Sequence, residues 1–255
     1  MGSTNVIRKG ALLILTAGLV AGMSAAPTGQ QSTITPTARE LNKSFDADQT
    51  QWAERFEHEG RAIYDNRYAI LDELALRPGL AVADIGAGSG LFSRLIAQRV
   101  GATGKVFAVD IARSMVDYIT KTAKEQGMAN LIAVLGDPRS PKLAPSSVDR
   151  VVIIDSYHHF EFPAEMLAEI KKALKPDGLF VLVDFKRIEG VSPPYVLTMV
   201  RAGQGTFTDE FVNAGFELVE RREDITPDNY LLKFRHRKPS ATPPTRAPDA
   251  PRSPR

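Results

Sequence analysis

Short apolar runs alternate with amphipathic segments through the middle of the chain, between about residues 50 and 236. An apolar run bounded by turn residues is typical of a buried strand, whereas apolar positions three and four residues apart indicate a helix. The pattern predicts seven strands, at 81–85, 106–109, 131–135, 151–155, 179–185, 216–220 and 230–235. It predicts helices over 50–75, 91–99, 114–126, 164–174 and about 208–214.

This order of elements indicates the fold class. Strands that alternate with helices form a mostly parallel sheet whose two faces are both covered by helices. The last two predicted strands follow each other closely along the chain, which is typical of an antiparallel pair. We therefore expect an α/β fold: a mostly parallel seven-stranded sheet with an antiparallel edge strand and helices on both faces.

The beginning of the chain is predicted to direct export. Residues 1–26 carry Arg8 and Lys9, then the apolar run 11–20, then small residues, which is the pattern of a cleaved signal peptide. An uncleaved membrane anchor is the alternative, because apolar and small residues extend to about Ala26 and approach the length of a membrane span. In either case we expect the body outside the cytosol, periplasmic or secreted, or anchored to a membrane and facing outward.

The remaining segments are distinguished by composition. Residues 27–49 are polar and predicted to be a linker, and residues 237–255 are rich in Pro and Arg and predicted to be disordered. Residues 50–236, between these two segments, are predicted to form one domain. The chain of 255 residues contains no Cys, which excludes disulfides, thiolate metal sites and a cysteine nucleophile.

The charge distribution disfavours nucleic acid as a partner. The formal net charge is +2, but residues 1–26 carry +2 and residues 237–255 carry +4, which leaves −4 for residues 27–236. A mildly acidic body is a poor surface for the phosphate backbone, so no nucleic-acid partner is expected.

The most informative motif is a glycine-rich turn after the first predicted strand, which runs from Asp84 through Gly86 and Gly88 to Gly90. Glycines at alternate positions let a ligand approach the backbone closely. A dinucleotide-binding turn would have its third glycine where this chain has Leu91. Asp84 would repel a pyrophosphate but suits a ligand that carries an ammonium group. A nicotinamide-dependent oxidoreductase is therefore the less favoured alternative.

Two more carboxylates follow the next strands. Asp110 closes the second predicted strand, 20 residues after Gly90, where a carboxylate can accept hydrogen bonds from both ribose hydroxyls. Asp137 follows the third strand, where it could bind an adenine amino group. Because the carboxyl ends of parallel strands meet at one edge of the sheet, all three acids are expected at one ligand site.

Five stretches resemble the class I S-adenosylmethionine-dependent methyltransferases: ADIGAGSG (83–90), VFAVDIARSM (106–115), GD (136–137), VVIIDSYHHF (151–160) and LKPDGLFVLVDF (174–185). The DxYHHF run, together with the export signal, is similar to predicted exported bacterial methyltransferases. The resemblance implies a Rossmann-like fold, S-adenosylmethionine as the cofactor, and methylation of a small-molecule acceptor. The identity of the acceptor and the oligomeric state of the protein stay open. The cofactor contacts that we expect are Asp84, Gly86, Ala87, Gly88, Gly90, Asp110, Ile111, Asp137 and Asp155.

The candidate catalytic residues follow the fourth strand, where the methyl group would lie. His158 and His159 have the intrinsic pKa to take a proton near neutrality, and His158 is preferred because it is nearer the strand end. Tyr157 could place its ring against the sulfonium or the acceptor. Alternatively, one histidine bonds a backbone carbonyl and the other caps the next helix. Adjacent histidine side chains diverge, so no metal site is expected.

Two further hypotheses concern the whole domain. The first predicted helix offers Trp52, Phe56, Glu57, Arg61 and Tyr64, either to close over the cofactor or simply to pack on the core. The chain could also be a binding protein that keeps the cofactor fold without turnover. Export motivates this second hypothesis, because S-adenosylmethionine is made in the cytosol.

Overall fold

The computed structural model describes residues 38–43 and 49–238. The predicted signal peptide or anchor (1–26) lies outside the described residues, as do the tail from residue 239 onward and most of the predicted linker. Those predictions stay predictions. Within the described residues, no helix is both long enough and apolar enough to cross a membrane.

Seven strands form one sheet, in the spatial order β3-β2-β1-β4-β5-β7-β6. Neighbouring strands are parallel from β3 through β5, whereas β7 is antiparallel to both β5 and β6. This confirms the predicted α/β class, with the antiparallel pair at one side of the sheet and β6 as its outer strand. The strands are β1 Ala81–Ile85, β2 Lys105–Asp110, β3 Leu131–Leu135, β4 Val148–Ile154, β5 Leu174–Phe185, β6 Phe216–Arg222 and β7 Asn229–His236.

Helices connect and cover the strands. A 3₁₀ turn over Tyr157–His159 follows β4. The α-helices of the described residues are α1 Ala38–Lys43, α2 Gln49–Phe56, α3 Ala62–Asp65, α4 Arg67–Glu73, α5 Leu91–Val100, α6 Arg113–Glu125, α7 Pro163–Ala173, α8 Pro194–Met199 and α9 Gln204–Asn213.

The long helix predicted over 50–75 is broken into α2, α3 and α4. Gly60 adopts a φ of 91° between α2 and α3, and its N–H donates to the Asp65 carboxylate at 3.1 and 3.2 Å. Asn66 has non-helical backbone angles between α3 and α4. The amphipathic pattern continues through these breaks, so periodicity alone could not locate them. α1, within the segment predicted as a linker, and α8 were not predicted.

Alternate side chains of the strands enter two separate cores. On one face, Phe180 and Leu182 of β5 pack with the aromatic residues of α9, whereas Val181 and Val183 pack on the other face with α4 and α5. Burial on both faces is what a mostly parallel sheet requires. The strand ends are thus the part of the central sheet that is free to form a site.

The first core depends on a cluster of aromatic rings around Phe211. This side chain is fully buried, stacks on Phe234 with centroids 4.3 Å apart, and meets the edge of Phe180 at 4.8 Å. Phe211→Ala would leave a cavity among these rings, so we expect the free energy of unfolding to fall by about 3–5 kcal/mol. Urea unfolding followed by circular dichroism measures this loss.

The matched control is Val219→Ala on the edge strand β6, where the side chain is 47% exposed. A surface truncation of this kind changes stability by about 0.5 kcal/mol or less. Equal losses in the two variants would contradict the assignment of Phe211 to the core.

Candidate functional site

A cavity of about 790 Å³ opens at the carboxyl ends of the central strands. Its volume lies within the range of small-molecule sites. Most of the residues predicted from the sequence line it; Gly90 and Tyr157 are the predicted site residues that do not. Those that line it are Asp84, Gly86, Ala87, Gly88, Asp110, Ile111, Asp137, Asp155, His158 and His159.

The glycine turn is shaped by a close approach to the segment after β4. Gly86 has a φ of 74°, and a Cβ at this position would lie 2.5 Å from Ser156 Oγ. The N–H groups of Gly86 and Ala87 both donate to the Val109 carbonyl, which fixes the turn against β2. A side chain at position 86 would therefore clash with Ser156, unless the end of β1 and the segment after β4 moved apart.

Gly88 and Gly90 have different neighbours. Gly88 has a φ of 54°, and a Cβ at this position would lie 3.3 Å from the Phe56 ring of α2, so a glycine here allows that ring to pack closely on the turn. Gly90 has a φ of 76° and precedes α5, with Ile119 3.0 Å from the position of a Cβ. Gly90 thus allows the turn and packs against α6, and its contact with a cofactor stays a prediction.

Backbone hydrogen bonds hold Asp110 at the end of β2. Its two carboxylate oxygens accept from the N–H groups of Gly88 and Ala112, both at 2.9 Å. Burial raises the pKa of Asp110, although these backbone hydrogen bonds oppose the rise. A carboxylate oxygen can accept more than one hydrogen bond. Asp110 is thus a carboxylate fixed at the cavity, with oxygens that can accept further hydrogen bonds.

Asp84 and Asp137 lie in contrasting environments. Asp84 is 3% exposed and accepts a hydrogen bond from Ser93 Oγ at 2.6 Å. Burial raises the pKa of Asp84 to about 6 despite this bond. Asp137 lies at the exposed rim, where Lys142 Nζ, 2.5 Å away, lowers its pKa. A buried carboxylate such as Asp84 gains most from a cationic ligand.

The turn after β4 separates the three side chains predicted to be catalytic. Asp155 has a φ of 57°, an uncommon left-handed conformation for a non-glycine residue, and it turns the chain into the 3₁₀ turn. The 3₁₀ turn directs Tyr157 into the core, whereas the neighbouring rings of His158 and His159 both line the cavity.

His158 forms a buried pair with Asp184 near the end of β5. Its Nδ1 lies 2.7 Å from Asp184 Oδ1, and its backbone N–H donates to Asp184 Oδ2 at 3.2 Å. Burial lowers the pKa of His158, but the charge and hydrogen bond of Asp184, with the charge of Asp155, outweigh burial and raise it. Nε2 of His158 is buried and has no hydrogen-bond partner among the described residues.

His159 and Tyr157 have other roles. The His159 ring lies 4.2 Å from that of His158, and burial lowers its pKa to about 3, so it is neutral at pH 7. The Tyr157 hydroxyl donates to Glu210 at 2.6 Å, and its ring meets Phe207 edge-on at 4.9 Å. The prediction that the Tyr157 ring faces a sulfonium or acceptor is wrong, because the 3₁₀ turn directs it into the aromatic core.

The N-terminal segment covers the outer side of the cavity. Arg61 forms an ion pair with Asp155 and donates to the Phe56 carbonyl at 3.0 Å, while Phe56 lies over Gly88. Asn42 of α1 donates to the His159 carbonyl at 3.2 Å. This arrangement agrees with the hypothesis of a closing element, and it extends that element into the segment predicted as a linker.

Sequence reasoning missed Asp184, Asn229, Tyr195 and Met199, all of which lie at or beside the cavity on the β5 side. Asp184 had a detectable signal, because it is an acid within an apolar strand run, where an ionisable residue is rare unless it has a partner. The other three lie in segments without a recognisable motif.

Three side chains lie close enough together to be considered as ligands of a cation. Ligand atoms of Asp155, His158 and Asp184 lie within 4.8 Å of one another. Nδ1 of His158 and Oδ1 of Asp184 bond to each other, and Asp155 is paired with Arg61. An ion would have to displace these internal partners.

Part of the chain is similar in sequence to known methyltransferases. Residues 82–178 match a family described as a methyltransferase domain. The ubiquinone/menaquinone biosynthesis C-methyltransferase UbiE of Bordetella parapertussis is 32% identical over 123 residues, which cover 48% of this chain and 47% of that protein. Nocamycin O-methyltransferase of Saccharothrix syringae is 34% identical over 109 residues, 43% of this chain and 39% of that protein. The chain thus spans about half the length, or less, of these relatives.

Solved structures share the fold. A SAM-dependent methyltransferase from Aquifex aeolicus superposes with a TM-score of 0.65 at 22% identity, covering 73% of this chain and 97% of its own. The [4+2]-cyclase SpnF also has a TM-score of 0.65, at 15% identity, covering 80% of this chain and 97% of its own. The resemblance to class I S-adenosylmethionine-dependent methyltransferases is confirmed. The cyclase shows that the fold alone does not specify the reaction.

The raised pKa of the buried Asp84 can be tested through the pH dependence of stability. Because its pKa is raised from 3.8 to about 6 on folding, the folded state holds its proton more tightly, and stability falls as pH rises through that interval. Asp84→Asn removes this effect. We expect the unfolding free energy of the variant, relative to the wild type, to increase by about 2 kcal/mol between pH 4 and pH 7.

Asp137→Asn is the control for this measurement, because the pKa of Asp137 is lowered rather than raised. The stability that the Asp137 carboxylate contributes is lost only as pH falls below about 4, so the stability of this variant relative to the wild type should stay nearly constant between pH 4 and pH 7. Denaturant titrations at several pH values measure both differences, and parallel curves for Asp84→Asn and the wild type would refute the burial of an ionisable group at this position.

Proposed function

We propose, from the premise that residues 82–178 form a methyltransferase domain, that this chain transfers a methyl group from S-adenosylmethionine to a small-molecule acceptor. The observation that carries the proposal is the convergence on one cavity of the glycine turn, the fixed Asp110 and the buried His158–Asp184 pair. The match over residues 82–178 supports methyl transfer as the reaction. The geometry of the cavity supports this cavity as the place where the reaction occurs.

The residues fit the proposed cofactor. Gly86 and Gly88 both line the cavity and carry no side chain, so their backbone can be approached closely by a ligand chain. Asp110 would accept the ribose hydroxyls, and the rim residue Asp137 would accept the adenine amino group. Asp84 and Asp155 supply negative charge for the ammonium group of the methionine part. When bound, S-adenosylmethionine supplies an electrophilic methyl group on a sulfonium.

The chain's own contribution is alignment and exclusion of water. A methyl transfer is an in-line displacement, so holding the acceptor against the methyl group lowers the barrier by avoiding loss of translational and rotational freedom. α2 and Arg61 cover the cavity from outside, which keeps water from the reacting atoms. Ile111, whose side chain is 38% exposed at the rim, would lie against the ribose or adenine.

The proposal is tested by calorimetric titration of the full chain with S-adenosylmethionine, S-adenosylhomocysteine and NAD. We expect micromolar binding of both sulfur ligands and none of NAD. Asp110→Ala should weaken the binding of both by about 10- to 100-fold, because hydrogen bonds to a charged group are lost. Binding of NAD in preference to the sulfur ligands would favour the oxidoreductase hypothesis.

The matched control is Asp72→Ala, which removes a surface carboxylate paired with Arg99 outside the cavity. Its binding constants should equal those of the wild type. Binding of the sulfur ligands without methylation of any acceptor in a panel of phenols and quinols would favour a cofactor-binding scaffold.

We further propose that the chain is exported, on the strength of the charged, apolar and small-residue order in residues 1–26. The body would then be periplasmic or secreted after cleavage. Mass spectrometry of the chain recovered from cells should find a mature N-terminus near Ala25–Pro27. Recovery of the intact segment in a membrane fraction would instead support an outward-facing anchor and a membrane-bound acceptor.

A further inference from the structure

We propose that Asp184 is a positioning residue that holds His158 with Nε2 directed at the acceptor, and that the acceptor is a hydroxylated aromatic or enolic compound whose O–H this nitrogen deprotonates. The inference rests on the proposed methyl transfer and specifies its substrate class. Its basis is the geometry of the buried pair and of the cavity wall beside it.

The hydrogen bond to Asp184 determines which nitrogen of His158 can act as a base. An ionised carboxylate only accepts hydrogen bonds, so Nδ1 at 2.7 Å from Asp184 Oδ1 must carry the proton. In the neutral ring Nε2 then has a free lone pair. That atom is buried, lacks a partner among the described residues, and belongs to a side chain lining the cavity.

The cavity wall around His158 suits a flat ring. The acids proposed to bind the cofactor lie at the carboxyl ends of β1, β2 and β3. The wall beside His158 is formed instead by Phe185 at the end of β5, Tyr195 and Met199 of α8, and Phe160 after the 3₁₀ turn. The Phe185 ring lies 5.6 Å from the His158 ring. Aromatic and thioether side chains pack well against the face of an aromatic ligand.

A second polar group lies on the same side. Asn229, 1% exposed, begins β7; its Oδ1 accepts from Thr226 Oγ1 at 2.9 Å. Its Nδ2 is buried and has no hydrogen-bond partner among the described residues. A buried donor without a partner is costly unless a ligand satisfies it. An oxygen substituent on the ring of the acceptor would satisfy it.

The charges around His158 favour its protonated form during the reaction. Asp184 on β5 and Asp155 after β4 attract the imidazolium, and Arg201 before α9 opposes it. Arg61 from the covering segment neutralises part of the charge of Asp155. His159, neutral at pH 7, adds no charge. The pair of carboxylates therefore stabilises the proton that Nε2 would receive.

The step balances in atoms and charge. The acceptor O–H bond breaks as its proton passes to His158 Nε2. The oxygen forms a bond to the methyl carbon, while the carbon–sulfur bond breaks and its electron pair stays on sulfur as a neutral thioether. The imidazolium, held by Asp184, returns its proton to solvent after the products leave.

The test uses 4-nitrophenol, whose phenolate absorbs at a different wavelength from the neutral phenol, with the full chain saturated with S-adenosylhomocysteine. At a pH below the pKa of the free phenol, the wild type should bind it as the phenolate. His158→Gln should bind it mainly neutral. His236→Gln, a histidine whose Nε2 contacts the Leu174 carbonyl away from the cavity, should behave as the wild type.

The variant Asp184→Asn tests whether Asp184 positions His158, and the measurement is the titration of the His158 ring rather than activity. NMR titration of the His158 ring should give a midpoint about 1–2 pH units lower in this variant, because the charge that favours the imidazolium is lost. S-adenosylhomocysteine should still bind within about threefold, which shows that the variant is folded. His158→Ala with added imidazole provides an independent check, since imidazole should restore the phenolate signal.

The outcomes separate the two proposals. Failure of the wild type to bind S-adenosylhomocysteine overturns the proposed function itself. Binding of that ligand without 4-nitrophenol binding overturns the substrate class, and a phenolate signal unchanged in His158→Gln overturns the role of His158. An unchanged His158 midpoint in Asp184→Asn overturns the role of Asp184.

Discussion

The site depends on the contact between the ends of β1 and β4 at the centre of the sheet. Ser156 Oγ donates to the Ile85 carbonyl at 3.1 Å and lies where a Cβ of Gly86 would be. β1 pairs with β2 on one side and β4 on the other, which makes this the point where the strand order reverses and where such sheets bind ligands. This junction brings to one cavity the acids at the carboxyl ends of β1 to β3 and the His158–Asp184 pair at the ends of β4 and β5.

Local patterns predicted most of this arrangement. β1 and β3 have the predicted bounds, and the glycine turn located the cavity, because a buried strand and a turn are determined by a few adjacent residues. Tyr157 was misassigned for the opposite reason: the direction of its ring depends on its packing and on its hydrogen bond to Glu210, far along the chain. The role of Asp184 required the pairing of β4 with β5, which no local pattern contains.

The cavity combines an apolar wall with several buried acids. Burial raises the pKa values of Asp84, Asp110 and Asp155, because their carboxylates have lost solvation that the protein only partly replaces. Such an arrangement costs stability in the free protein and is offset when a cation enters. The left-handed conformation of Asp155 at the same place agrees with a region shaped for binding rather than for stability.

The insertion of β7 between β5 and β6 has a consequence for how the chain folds during synthesis. β6 pairs within the described sheet only with β7, and the outer side of β5 is likewise covered only by β7. A ribosome-bound chain that has not yet released residues 229–236 therefore holds β5 with an open hydrogen-bonding edge. Completion of the sheet depends on pairings formed late in synthesis, and until then the exposed edge is a target for chaperones and for aggregation.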